Sequence, residues 1–194
     1  NVPDEILGRL PGNNGVCMVT FVPSFVSQDC RDWEHELAAE MERRGLDVWD
    51  KGDRALAARE WAPGPRPKAD LAQVADHIGH VREVAGVEHL GLGGDFDGTD
   101  DLPEGLADVS CYPALIAELL ERGWSQADCE RLAGGNVLRV MREAEAAASE
   151  ISAQRGPSLA RIEDTDQAGG TAPGSGTAAA SGTVPASAAA AETS

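Results

Sequence analysis

The residues best suited to chemistry lie in "EHLGLGGDFDGTDDLPEG", residues 88–105, where an apolar run ends in glycines and releases Asp95, Asp97, Asp100 and Asp101. A carboxylate can accept or donate a proton, or bind a metal, and neighbouring glycines let backbone approach a ligand closely. Two familiar sites are excluded by spacing. "GLGGDF" lacks the Gly-x-Gly-x-x-Gly order of a dinucleotide loop, and no helix follows its glycines at once. "DFDGTDDLPEGL" puts its glycine fourth and Leu106 twelfth, where a calcium EF-hand needs glycine sixth and a glutamate last. A plain acidic turn is the alternative to a site. In a (β/α) barrel, residues just past the C-terminal end of a strand point into the active site, and Asp95 stands at that place after "LGLGG".

The other chemistry-bearing side chains are weaker candidates. His77 and His80 are three apart, a spacing that can bind zinc, but on a helix expected to pack outside such a barrel. His89 begins a strand, the stability face of a barrel, and His35 lies among Glu34, Glu36 and Glu40 on a charged helix. Trp33 and Trp124 read as packing residues. Cys17, Cys30, Cys111 and Cys129 contain no Cys-x-x-Cys pair and read as free thiols in a reducing compartment.

The elements around the loop alternate. "NVPDEILGRL" suggests a short helix with Ile6, Leu7 and Leu10 on one face, stopped by Pro-Gly-Asn-Asn-Gly. Residues 16–22, "VCMVTFV", form a β-prone run without polar alternation, which predicts a strand covered on both faces. Residues 28–44 predict a helix with Cys30, Trp33, Leu37 and Met41 inward. "WAPGPRPKAD" reads as a proline-rich loop. A second helix has Leu71, Val74, Ala75, Ile78 and Val81 inward and Gly86 as its C-terminal cap. A second strand, from His89 to Gly93, follows directly. A helix opened by Pro113 and lined by Leu115, Ile116, Leu119 and Leu120 comes next. Another starts at a capping-box-like Ser125 and Asp128, and "GGNVLRVMREAEAAA" supplies the last. Strand, helix, strand, helix predicts a parallel α/β architecture.

Composition bounds the partners. The 194 residues carry 16 Lys and Arg against 33 Asp and Glu, a formal charge of −17, which disfavours nucleic acid and anionic membrane. No run approaches a membrane-spanning length. From about residue 164 the chain becomes Ala, Gly, Ser, Thr and Pro, which predicts a disordered tail, residues 164–194, after an ordered part of residues 1–163. The tail lacks the apolar end of a lipid-anchor signal, so a cytoplasmic location is expected.

"DHIGHVREVAGVEHLGLGGDFDG", "LPEGLADVSCYPALIAELLERGW" and "GGNVLRVMREAE" resemble the C-terminal part of the membrane dipeptidase family, peptidase family M19. "NVPDEIL" and "VCMVTFVPSFVS" resemble the segment before it in those enzymes. The resemblance implies the C-terminal portion of a TIM-type (β/α)8 barrel, its last two strands and their helices. It also implies hydrolysis of dipeptides by metal-activated hydroxide at two bridged zinc ions, with homodimers common. By the same resemblance, Asp95 matches the aspartate that handles the proton reaching the leaving amine. Asp97 belongs to the same "DFDG" motif and is expected, with Gly94 and Gly98, to shape the loop. Phe25 matches a substrate-side position that is tyrosine in some relatives, so a hydroxyl contact is lost there.

The family's zinc ligands come from earlier strands, which this sequence does not include, and an arginine that contacts substrate precedes the "NVPD" segment. The chain is therefore expected to be a fragment of a zinc dipeptidase, inactive alone and holding no metal ligand itself. Two other readings stay open: a non-catalytic acidic module that completes a split barrel or binds a protein partner, and an acidic loop that binds a divalent metal unaided.

Overall fold

The computed structural model describes residues 1–61, 65–159 and 161. The chain divides into two units, Asn1–Ile151 and Ser152–Ser194, and the fold described here is that of the first. The tail expected over residues 164–194 lies outside the described residues.

The structure is rich in helix, with a two-stranded sheet at its centre. Two short helical turns, α1 (Asp4–Leu7) and α2 (Leu10–Asn13), lead into β1 (Cys17–Val19). A turn, α3 (Pro23–Val26), then leads into two longer helices, α4 (Gln28–Arg44) and α5 (Lys51–Trp61). Next come α6 (Leu71–Ala85) and β2 (Leu90–Leu92), then α7 (Tyr112–Glu121), α8 (Gln126–Glu130) and α9 (Asn136–Gln154). The strands pair in parallel, Cys17 opposite Leu90 and Val19 opposite Leu92. Parallel neighbours need a long crossover, and α3 to α6 supply it.

The main core is built where the sheet meets α6 and α7. Phe21, Val74, Ile78, Leu90, Leu115 and Leu119 are all fully buried there. A second, smaller core lies between α4 and α5, around Leu37, Met41 and Ala57. The expected inner face of α6 is the one observed: Val74, Ala75, Ile78 and Val81 are buried. Its start is fixed by a capping box, Asp70 accepting from the Gln73 amide while Gln73 accepts from the Asp70 amide. Gly86 caps its end at φ 93, where a side chain would be strained.

The structure departs from expectation at five points. The strand over residues 16–22 shortens to Cys17–Val19, because Pro23 opens α3 and β2 offers no partner beyond Gly93, whose amide donates to the Val19 carbonyl at 2.9 Å. Nor is that strand covered on both faces, since Met18 is 40% exposed. The Pro-Gly-Asn-Asn-Gly stop is itself partly helical as α2, with Pro11 in its first turn, where a missing amide costs nothing, and Asn14 left-handed at φ 57. Ile6 and Leu120, expected inward, are 44% and 45% exposed. The helix α5 was not expected at all: its signal is alanine with only Ala57 fully buried, and Gly52 stands near its start.

The N-terminal end of β2 is pinned by buried polar groups. Asn136, 3% exposed, donates to the carbonyls of Val87 and Leu90 at 2.7 and 2.8 Å. His89 donates from Nδ1 to the Gly15 carbonyl at 2.8 Å, so its role is structural, and its Nδ1 carries the proton.

Candidate functional site

The C-terminal ends of β1 and β2 lie side by side and lead into residues 20–25 and 93–101 respectively. Their junction is held by three rings. Phe21 meets Phe96 edge-on with centroids 5.9 Å apart and Tyr112 likewise at 6.0 Å, while Phe96 and Tyr112 stand 5.6 Å apart. Such edge contacts stabilise beyond the area they bury. Phe96 thus anchors the acidic loop from within, and Asp95 and Asp97 on either side of it are exposed. An aromatic residue between two carboxylates was the sequence signal for this anchor, and sequence reasoning passed over it.

The glycines fit closely around these groups. Gly94 is buried, and a Cβ there would lie 2.7 Å from Phe96 Cε2 and 2.9 Å from the Tyr112 hydroxyl oxygen. A Cβ on Gly98 would overlap the Asp95 carboxylate. The Gly98 amide donates to the Asp95 carbonyl at 3.0 Å, closing a turn. Asp95 itself adopts φ 61, in the left-handed region that few residues other than glycine, asparagine and aspartate enter.

The four aspartates separate by partner. Asp100 pairs with Lys51 of α5, and that contact holds its carboxyl below the usual range. Asp101 pairs with Arg66 at 3.1 Å. Among the described residues, neither the Asp95 nor the Asp97 carboxylate has an ion pair or a hydrogen-bonded partner, and both are exposed. Sequence reasoning did not find Lys51 or Arg66, and no short-range signal could have: they sit 49 and 35 residues from their partners.

Two cavities flank this region. One, of about 310 Å3, is lined by Phe25, Met18, Cys17, His77, His80 and Asp4 among others. Phe25 is 46% exposed there. The other, a groove of about 910 Å3, runs between α4, α5 and the acidic loop, with Trp33, Lys51, Arg54, Arg66, Gly98 and Asp101 on its walls. Phe25 and Gly98 therefore line different cavities, and Asp95 lines neither of the two.

Two of the histidines have polar partners, and His77 and His80 lie near one another. His80 Nε2 lies 2.8 Å from Asp4 Oδ1. Burial, and then the charge of His80, pushes the His77 pKa down. His35 is exposed. Among the described residues no group of three or more His, Cys, Asp or Glu is disposed to hold a metal ion. Trp124 packs under Arg82, whose guanidinium lies 4.3 Å from its ring centroid, and Trp33 lies similarly under Arg66 at 5.1 Å. The four cysteines are unpaired. No helix among the described residues is long and apolar enough to cross a membrane.

Residues 1–155 match the family model described as membrane dipeptidase, peptidase family M19. The chain is 37% identical over 152 residues to dipeptidase aclJ of Aspergillus oryzae, covering 78% of this chain and 28% of that protein. It is 35% identical over 154 residues to human dipeptidase 3, covering 79% and 24% respectively. The chain thus spans about a quarter of the length of these relatives. Among solved structures, the probable dipeptidase PvdM of Pseudomonas aeruginosa superposes with a TM-score of 0.57 at 26% identity, over 72% of this chain and 39% of that one.

Proposed function

We propose, for a chain that belongs to the membrane dipeptidase family, peptidase family M19, that the complete protein hydrolyses the peptide bond of dipeptides with Asp95 as the proton-transfer carboxylate. The observation that carries the reading is the sorting of the loop's four acids. Asp100 and Asp101 are neutralised by cations, while Asp95 stands at the strand end with no partner among the described residues and a backbone φ of 61. Strained backbone of this kind gathers at functional positions, where the surrounding structure holds it. A free carboxylate there can take a proton from the attacking water and return it to the leaving amine.

In the same reading, β1 and β2 are the last two strands of a (β/α)8 barrel. Their parallel register, the helical crossover between them and the likeness to a dipeptidase structure support it. Phe25 stands on the substrate side with its ring only, and Gly94, Asp97 and Gly98 give the loop its shape. The residues described here do not fit a two-zinc centre, because His80 is taken by Asp4, His89 by a carbonyl, and two aspartates by cations. Zinc enters the proposal as the family's metal, held by residues other than those described, so the 194-residue chain alone is expected to be inactive. A homodimer in the cytoplasm belongs to the same proposal, on the family resemblance and on four unpaired cysteines that suit a reducing compartment.

The test is hydrolysis of a panel of simple L-dipeptides by the complete protein and by the 194-residue chain, each with zinc and with a chelator. The reading expects zinc-dependent turnover by the complete protein alone. A complete protein inert with zinc would sink the dipeptidase reading, and turnover by the 194-residue chain would sink the dependence on other residues.

A further inference from the structure

Between Phe96, packed against the core, and the fully buried Pro103, the acidic loop has two polar ties to the rest of the protein among the described residues, both of them ion pairs. Its other polar contacts are local, the Gly98 amide on the Asp95 carbonyl and Thr99 on Asp101. The two ties are unequal. Lys51 and Asp100 are 85% and 82% exposed, and a pair so open to water and salt holds little. Arg66 is 45% exposed and is itself fixed from two further sides. It pairs with Glu34, only 17% exposed, and stacks over the Trp33 ring at 5.1 Å. Arg54 reaches the same Glu34 carboxylate, so that side chain is held in place before Arg66 arrives. Arg66 therefore offers Asp101 a guanidinium whose position is already set by α4, which a flexible exposed lysine cannot do.

We propose that Arg66 is a positioning residue: through its ion pair with Asp101 it fixes the turn that presents Asp95. It touches no reacting atom in this account, and the inference rests on the assignment of Asp95 to proton transfer. A carboxylate displaced by about 1 Å can lose about a hundredfold in rate. Because the displaced group acts in the transition state, the loss falls on kcat rather than on KM.

The test compares Arg66→Gln, Asp101→Asn and the double variant of the complete protein, by hydrogen exchange over residues 95–101 and by dipeptide turnover. Arg122→Gln, which removes a similar two-carboxylate hub just after α7 from Asp76 and Glu118, is the control. We expect faster exchange at the Gly98 amide in both single variants, kcat lower by about tenfold to a hundredfold with KM little changed, and no further loss in the double variant. Arg66→Lys regains part of kcat only, and Arg122→Gln leaves both readouts at wild type. Wild-type exchange and kcat in Arg66→Gln would overturn the proposal, as would losses that add in the double variant. If Arg66→Gln fails to fold, Asp101→Asn carries both readouts. If the wild-type protein hydrolyses no dipeptide, the dipeptidase reading fails, and exchange at Gly98 alone decides whether Arg66 fixes the turn.

Discussion

Asp95 is held where its backbone pays for the position. Left-handed φ costs about 1–2 kcal/mol for most L-residues, and aspartate and asparagine share a short polar side chain that eases it. Asp95→Asn is therefore expected to keep the wild-type melting temperature, whereas Asp95→Ala falls by about 1 kcal/mol in chemical denaturation. Equal stabilities would show that the strain is not carried at this residue. Gly94→Ala makes a sharper case, because its Cβ would press on Phe96 and Tyr112. Overpacking of this kind costs about 1–3 kcal/mol, and near-ultraviolet circular dichroism of the tyrosine should change with it. That a carboxylate follows glycines at a strand end could be read from the sequence. Which carboxylates are free could not, since Asp100 and Asp101 are neutralised by residues far away in the chain.

Elements were legible where a helix carries its own punctuation. The α6 helix has a regular apolar face and Gly86 at its end, both where expected, and the structure adds a capping box of Asp70 and Gln73 at its start. Asp70→Ala removes the cap and should lower stability by about 0.5–2 kcal/mol in urea unfolding, with no change if the box does not form. On the same helix, His77 has a folded pKa below its ordinary value, with burial the larger cause. The folded state then binds fewer protons than the unfolded one, so stability rises with pH through the window between the two values. It is complete above about pH 6.5, and is lost as pH falls through the lowered folded pKa. His77→Gln should flatten the stability profile from pH 7 to pH 5. An unaltered profile would assign the dependence to other groups. Elements without such signals were missed, as α5 was, or overextended, as β1 was, because strand length is set by the partner and the sequence shows only β-propensity.

At the scale of the whole molecule, the described fold leaves apolar surface uncovered. Met18 and Phe25 stand 40% and 46% exposed beside β1, and Leu138, Met141 and Ile151 of α9 are similarly open. Among the described residues β1 has β2 as its one strand partner, and a strand with an open edge and apolar side chains invites pairing with another chain. The isolated 194-residue chain is therefore expected to self-associate in light scattering, and Met18→Lys to reduce that association. A monodisperse monomer with a sharp cooperative thermal transition would contradict both expectations. The parallel α/β arrangement was readable from the alternation of apolar runs and helical periods, whereas the small second core between α4 and α5 depends on contacts that periodicity does not reveal.

The role of Asp95 is tested most directly by kcat for a simple L-dipeptide, measured on the complete protein and its Asp95→Asn variant at equal zinc content. A proton-transfer role predicts a fall of about a hundredfold to ten-thousandfold in kcat, with KM within a few fold. An Asp95→Asn protein that turns over at the wild-type rate would contradict it.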